Sequence, residues 1–283
     1  MTNGDLRHNG IALATCLICG SKNVRSKRLA LLSLKELPIL ICSDCGYARR
    51  SDQRSFEDNL TTQTNIHDQY SLPNLRYTKW PHRPALIRRE IEKIQGQTGK
   101  TLDIGCGNGQ WLLTLGAGWE KNGLELSNAG AQMARELSSA NVFCGPLESY
   151  DTPHTFDLIT AFAIIEHLSD PRILVSWSQR HLKLGGLLVL YTGDTESETA
   201  LKMGEKWPLY DCEDHVSYFS ARAVRRLLLE TGFKVVREEW RFMYLANGEQ
   251  PRAIKVIQKL KEIVRMVQYP KHDHYYCYAI KIK

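Results

Sequence analysis

Thr101-Leu102-Asp103-Ile104-Gly105-Cys106-Gly107-Asn108-Gly109 is the stretch that decides how this 283-residue chain is read. An apolar run ends on Asp103. Three glycines then alternate with small residues, and a helix is expected to start near Gln110. Such a turn brings backbone N–H groups close to a ligand, because glycine has no Cβ to hold it off. Glu125 follows Gly105 by twenty positions, at the end of the next apolar run, Trp119 to Leu126. A carboxylate there can accept hydrogen bonds from both hydroxyls of a ribose. The two features together point to a nucleoside-containing cofactor, against the plainer alternative of a glycine-rich strand-to-helix turn with no ligand.

The glycine spacing narrows the choice of cofactor. A dinucleotide fold uses G-x-G-x-x-G and aims a helix N-terminus at a pyrophosphate, whereas here the spacing is G-x-G-x-G behind an acidic residue. A carboxylate at the strand tip repels a pyrophosphate and suits an ammonium group. In this form the run resembles the first motif of the class I S-adenosylmethionine-dependent methyltransferases. The resemblance implies cofactor contacts from Asp103, Gly105, Cys106, Gly107, Asn108, Gly109, Glu125, Leu126, Leu147, Ala161 and Phe162. It also implies a Rossmann-like, seven-stranded, mostly parallel sheet whose last strand is antiparallel.

The local pattern agrees with that architecture. Strands are expected at 101–104, 120–124, 141–143, 156–161 and 187–192, and helices at about 84–95, 109–115, 127–138, 171–183 and 220–231. Alternation at this spacing predicts an α/β fold, a parallel sheet with helices on both faces. Two more strand-like runs follow, Phe233 to Tyr244 and Tyr275 to Ile282. Between them Ile254, Ile257, Leu260, Val264 and Val267 mark an amphipathic helix with a basic opposite face.

Eight cysteines fall into two groups. Cys16 and Cys19, then Cys42 and Cys45, form two C-x-x-C pairs, each followed by glycine and separated by 22 residues. Two such knuckles can set four thiolates around Zn²⁺, which leaves no open position for water, so the site is expected to be structural. In a segment too small for its own core, the metal takes the place of hydrophobic packing. Two disulfides or a redox C-x-x-C are the alternatives; a cytosolic setting disfavours the first, and the matched pairs disfavour the second. Cys106, Cys144, Cys212 and Cys277 are scattered and read as small apolar residues.

Composition is that of an ordinary globular protein, 43% hydrophobic and 24% charged. No apolar run reaches the ~18 residues of a membrane span, and no secretory-type apolar region stands at the N-terminus, so a cytoplasmic location is expected. The expected layout is a small zinc-ribbon-like module at 1–50, a connector and cofactor lid at 51–83, with Tyr77, Trp80 and His82 among its residues, and a methyltransferase domain at 84–283. The net charge of +6 is uneven: residues 1–50 and 249–283 each carry +5, leaving −4 for the middle. Basic flanks can attract nucleic acid, but neither holds a run of five like charges, so a solvated surface is the plainer reading.

Methyl transfer from a sulfonium needs an acceptor that is positioned and, where it is a poor nucleophile, deprotonated. In Phe156 to Pro171 an apolar strand runs out into Glu166-His167, and Asp170-Pro171 opens a helix. In the resembling family this strand end meets the sulfonium, and its Glu-His run more often orders the loop than performs catalysis. The turn Lys183-Leu184-Gly185-Gly186 matches a family motif in which a helix C-cap precedes a buried strand. One departure is visible: Pro146 stands where the family often has an acid for adenine, which leaves the Leu147 backbone and apolar contact for the base.

His215, in the segment Trp207 to Ser220, is the preferred general base and His167 the second candidate, because imidazole titrates near neutrality. Holding the loop together is the competing role. Trp207, Tyr210 and Asp211 are candidate substrate-wall residues. The favoured function is methylation of a small molecule, such as a sugar or biosynthetic intermediate, with no membrane partner and an unassigned oligomeric state. RNA methylation, with the zinc module binding substrate, is the first alternative. A non-enzymatic binding protein that keeps the fold is the second.

Overall fold

The computed structural model describes residues 15–52, 84–241 and 272–283. The connector aromatics and the expected helix around Ile254 to Val267 lie outside the described residues. A seven-stranded sheet forms the centre, built from β4 (Gly99–Ile104), β5 (Trp119–Glu125), β6 (Asn141–Cys144), β7 (Phe156–Phe162), β8 (Leu182–Gly193), β10 (Phe233–Arg241) and β11 (His274–Lys281). Its order is β10-β11-β8-β7-β4-β5-β6. β4 to β8 run parallel, whereas β11 pairs antiparallel with both β8 and β10. The expected sheet, with its antiparallel last strand, is therefore present.

The central strands are apolar on both sides because each face is covered. On β8, Leu187, Val189 and Tyr191 enter one core with Ile87 and Ile91 of α1 (Pro84–Gln95), Trp111 and Leu112 of α2 (Gln110–Thr114), and Ala131 and Ala134 of α3 (Asn128–Ser138). Leu188 and Leu190 enter the opposite core with Leu174 and Val175 of α4 (Arg172–His181) and Val224, Leu227 and Leu228 of α6 (Ala221–Glu230). This is the period-two alternation of a strand, with apolar residues on both faces. A short α5 (Glu198–Met203) precedes the His215 segment.

The expected C-cap at Lys183–Gly186 needs correcting. Helix α4 stops at His181, and Gly185, at φ 80°, makes a turn inside the run that continues as β8. The apolar Leu182 is buried there and pairs with Phe156, which pulls the chain into the sheet before the glycines are reached.

The N-terminal segment folds as a hairpin of β1 (Val24–Ala30) and β2 (Glu36–Cys42), followed by β3 (Ala48–Arg50). A fourth strand comes from the far side of the chain: β9 (Ser217–Tyr218) pairs antiparallel with β3. One small sheet, in the order β1-β2-β3-β9, thus joins residues about 170 positions apart.

Candidate functional site

The glycine loop lies at the carboxyl ends of β4 and β5, where open α/β sheets bind ligands. Its carboxylates are held by different means. Asp103 is 3% exposed and accepts the Thr160 hydroxyl at 2.6 Å, and Thr160 in turn accepts the Trp111 indole N–H at 3.2 Å. Burial pushes the Asp103 carboxyl up to about 8, partly opposed by the Thr160 hydrogen bond. Glu125, also buried, accepts the Gly107 amide at 2.7 Å through Oε2 and the Ser127 amide at 3.0 Å through Oε1.

Two glycines of the loop serve different needs. Gly107 has φ 52° and nothing within 4 Å of where a Cβ would stand, so the loop presents bare backbone to open space. Gly109 has φ 80°, and its Cβ would lie 2.8 Å from Ala134 Cα, so α3 packs against the loop only because no side chain intervenes. Cys106 is buried with Trp111 and Leu112; burial holds its thiol well above the ordinary range, and only its backbone belongs to the loop. Asn108 caps locally, accepting the Gln110 amide at 3.4 Å.

Among the other residues expected at the cofactor, Leu126 is half-buried beside Glu125, and Leu147 is buried in a 3₁₀ turn after β6, where the Gly145 amide donates to the Glu125 carbonyl. Ala161 pairs with Ile104 across β7 and β4. Phe162 packs edge-on against Trp111, with ring centroids 5.4 Å apart.

His167 and His215 meet in space, their rings 4.9 Å apart and nearly perpendicular. The 3₁₀ turn Ile165–His167 ends β7, and the Glu166 carbonyl accepts the Val216 amide, which ties the two segments together. His167 Nδ1 stands 3.1 Å from the Asp214 carbonyl oxygen, and His215 Nδ1 stands 3.0 Å from that of Leu209. Burial, together with the neighbouring His167, pushes His215 down to about 3, so its neutral form is the stable one. Burial raises Glu166, whose Oε2 has no hydrogen-bond partner among the described residues. Trp207 and Asp211, expected as substrate walls, instead serve packing: Trp207 is buried and donates to Asp273, and Asp211 accepts the Ser33 amide of the β1–β2 hairpin. Tyr210 packs between Trp207 and Tyr218. Thr160 and Ser127 had no expected role, and Glu166 was expected only to order its loop together with His167. Ser127 was expected as the first residue of the helix at 127–138; instead it stands just outside α3 and caps it by accepting the Gly130 amide.

The four knuckle cysteines converge. Cys16 and Cys45 have sulfurs 3.5 Å apart, and those of Cys19 and Cys42 are 3.6 Å apart. Four sulfurs at 2.3 Å around zinc stand about 3.8 Å from one another, so the cluster fits a tetrahedral Zn²⁺ with little closing or opening. The Ile18 amide points at Cys16 Sγ from 3.4 Å, as in a metal knuckle.

Comparison with known proteins agrees with this geometry. Residues 79–238 match the methyltransferase domain family, and the chain belongs to it. It is an S-adenosylmethionine-dependent methyltransferase. An uncharacterized protein of Methanocaldococcus jannaschii is 24% identical over 176 residues, covering 61% of this chain and 83% of that one. A ubiquinone biosynthesis O-methyltransferase of Alkalilimnicola ehrlichii is 27% identical over 158 residues, covering 47% of this chain and 62% of the relative. Less than two thirds of that relative's length is thus spanned. Among solved structures, a Haloferax volcanii methyltransferase in complex with its Trm112 activator superposes with a TM-score of 0.57 at 15% identity, covering 77% of this chain and 98% of that chain. The plantazolicin methyltransferase BpumL, bound to a desmethylplantazolicin analogue and SAH, gives 0.53 at 15% identity, over 80% and 97%. These likenesses show the fold. No described helix is long and apolar enough to cross a membrane.

Proposed function

We propose that this methyltransferase acts on a small-molecule hydroxyl, with structural zinc in the Cys16, Cys19, Cys42 and Cys45 cluster. The observation that carries the reading is the pairing of the Asp103–Glu125 loop with the His167–His215 cluster at the carboxyl ends of adjacent strands. The similarity to ubiquinone biosynthesis O-methyltransferases supports a small acceptor and transfer to oxygen.

S-adenosylmethionine, when bound, supplies an activated methyl group on a sulfonium. Asp103 would hold the ammonium end of its amino-acid tail, Glu125 would take the ribose hydroxyls, and the Gly105–Gly109 backbone with Cys106 and Asn108 would line the tail. Leu126 and the Leu147 backbone would flank the adenosyl part, and Ala161 and Phe162 the sulfonium. Thr160 keeps Asp103 oriented, and the buried sheet face under Phe162 and Trp111 excludes water. His215 and His167 bound the acceptor side. Zinc held by these four thiolates would be closed to substrate and would hold the hairpin that backs the acceptor segment.

An RNA acceptor is less well supported. Of seven cations between Lys22 and Arg50, four face carboxylates at 2.5–3.1 Å: Lys27, Arg28, Lys35 and Arg50. Those charges are largely used within the fold.

The test is incubation of the protein with methyl-labelled cofactor and cell extract separated by size. Label in the low-mass fraction is expected. Label in an RNase-sensitive fraction would overturn the small-molecule reading. Calorimetry with Asp103→Ala and Glu125→Ala checks the cofactor site, where at least a tenfold loss of affinity is expected for each. Wild-type affinity in both variants would remove the assignment.

A further inference from the structure

Glu166, His167 and His215 form a second cluster able to hold a metal, separate from the four cysteines. One donor atom from each lies within 4.8 Å of the other two. An equilateral set of that size has its centre ~2.8 Å from each atom, against the ~2.0–2.2 Å of zinc bonds to nitrogen and carboxylate oxygen. Each donor atom would move inward by ~0.6–0.8 Å to reach those lengths.

The tautomers are set by backbone. A carbonyl oxygen only accepts, so His215 Nδ1 is the N–H donor to Leu209 and His167 Nδ1 the donor to Asp214. In the neutral rings the lone pair therefore sits on Nε2. Metal-bound histidine ordinarily donates its other ring N–H to a backbone carbonyl or carboxylate, as both rings do here. Asp214 adds a carboxylate oxygen 3.4 Å from His167 Nδ1. Glu166 is 5% exposed and its Oε2 has no hydrogen-bond partner among the described residues, although an orphaned buried oxygen is costly. A cation supplies the missing partner.

The cluster also lies beside the cofactor loop. Ile164, two residues before Glu166, has its Cδ1 2.0 Å from where a Gly105 Cβ would stand. A cation held here is adjacent to the strand end that flanks the sulfonium in the proposed function.

We propose that Glu166, His167 and His215 bind one divalent first-row cation that keeps open positions for the acceptor hydroxyl. Two imidazoles and one carboxylate suit zinc, manganese or iron(II) better than calcium, and three protein ligands leave room for a further oxygen. The role in transfer rests on the small-molecule reading; the cation site does not. A hydroxyl on the cation loses its proton to water more readily. Its oxygen lone pair then forms the new C–O bond as the S–CH₃ bond breaks, and that bond's electron pair stays on sulfur.

Mn²⁺ is the probe, because this cation prefers oxygen and nitrogen ligands and avoids a four-thiolate site. Calorimetry and electron paramagnetic resonance on the full chain are expected to show one saturable Mn²⁺ per chain. Glu166→Gln, close to isosteric, and His215→Gln are each expected to weaken it at least tenfold while SAH affinity stays within about threefold. SAH binding reports that each variant is folded. No saturable Mn²⁺ in the wild-type chain, together with no Zn²⁺ beyond one per chain by native mass spectrometry, overturns the proposal. So does unchanged Mn²⁺ affinity in both variants. Mn²⁺ binding without methylation of any low-mass acceptor would leave the site standing and sink only the small-molecule reading.

Discussion

The Ser220 hydroxyl donates to the Cys45 carbonyl at 2.8 Å while its oxygen accepts the Ala223 amide at 3.2 Å. A single side chain thus caps helix α6 and fixes the second cysteine knuckle to it. Around this pair, Arg222 donates to the Asp44 carbonyl and Tyr47 shares a buried hydrogen bond with Ser217. Cysteine geometry and the His215 segment are therefore parts of one packed unit.

Ser220→Ala removes the cap and leaves a buried carbonyl without its donor. Losses of about 1 kcal/mol for the cap and about 1–3 kcal/mol for the orphaned group are the ordinary scale. Urea denaturation is expected to show a decrease of roughly 2 kcal/mol or more. An unchanged midpoint would show that the knuckle is held by other contacts alone.

Removal of the proposed zinc is expected to act beyond the N-terminal module. Four buried or half-buried thiols would then lose their common partner, and the β3–β9 pairing its anchor. Chelation, or Cys42→Ser, is expected to lower the melting temperature and to raise hydrogen exchange in residues 205–220 as well as 16–50. Exchange confined to 16–50 would contradict the coupling.

Gly107→Ala and Gly109→Ala separate binding from folding. Both positions have positive φ, which costs an alanine about 1–2 kcal/mol. Gly107 faces open space, so its variant is expected to fold with little further loss but to bind cofactor at least tenfold more weakly. At Gly109 the methyl would strike Ala134, adding about 1–3 kcal/mol of overpacking. Its variant is expected to lose more stability than Gly107→Ala in thermal unfolding.

Asp103 makes the cofactor-free protein pH-dependent. Its folded pKa of about 8 lies above the ~3.9 of an unfolded aspartate. A raised folded pKa means that stability is fully present below about pH 4, falls as pH rises and is lost through pH 8. Asp103→Asn is expected to flatten this decline between pH 4 and 8 in chemical denaturation of the free protein. The same slope in wild type and variant would place the dependence on another group.

Much of this protein could be read from neighbouring residues alone. The period-two apolar strands, the α1 stripe of Ile87 and Ile91, the glycine loop and the C-x-x-C pairs are local patterns, and local sterics and burial dictate them. The last strand, β11, is antiparallel as the resemblance implied, but its place between β8 and β10 came from the structure. Helix α4 ended earlier than its glycines indicated, because the burial of Leu182 outweighed the turn signal.

What only the tertiary structure decided were encounters between distant residues. Thr160 reaches Asp103 across 57 positions and Tyr47 reaches Ser217 across 170. Glu166 and His167 meet His215 across a seam in which the Val216 amide bonds to the Glu166 carbonyl and the Ser217 hydroxyl to that of Leu168. Asp211, a plausible pocket wall by composition, turned to the hairpin, where the Ser33 amide offered it a partner. The residue types that chemistry requires were visible in the chain, but which of them share a site is set by strand order and packing, and no local spacing encodes those.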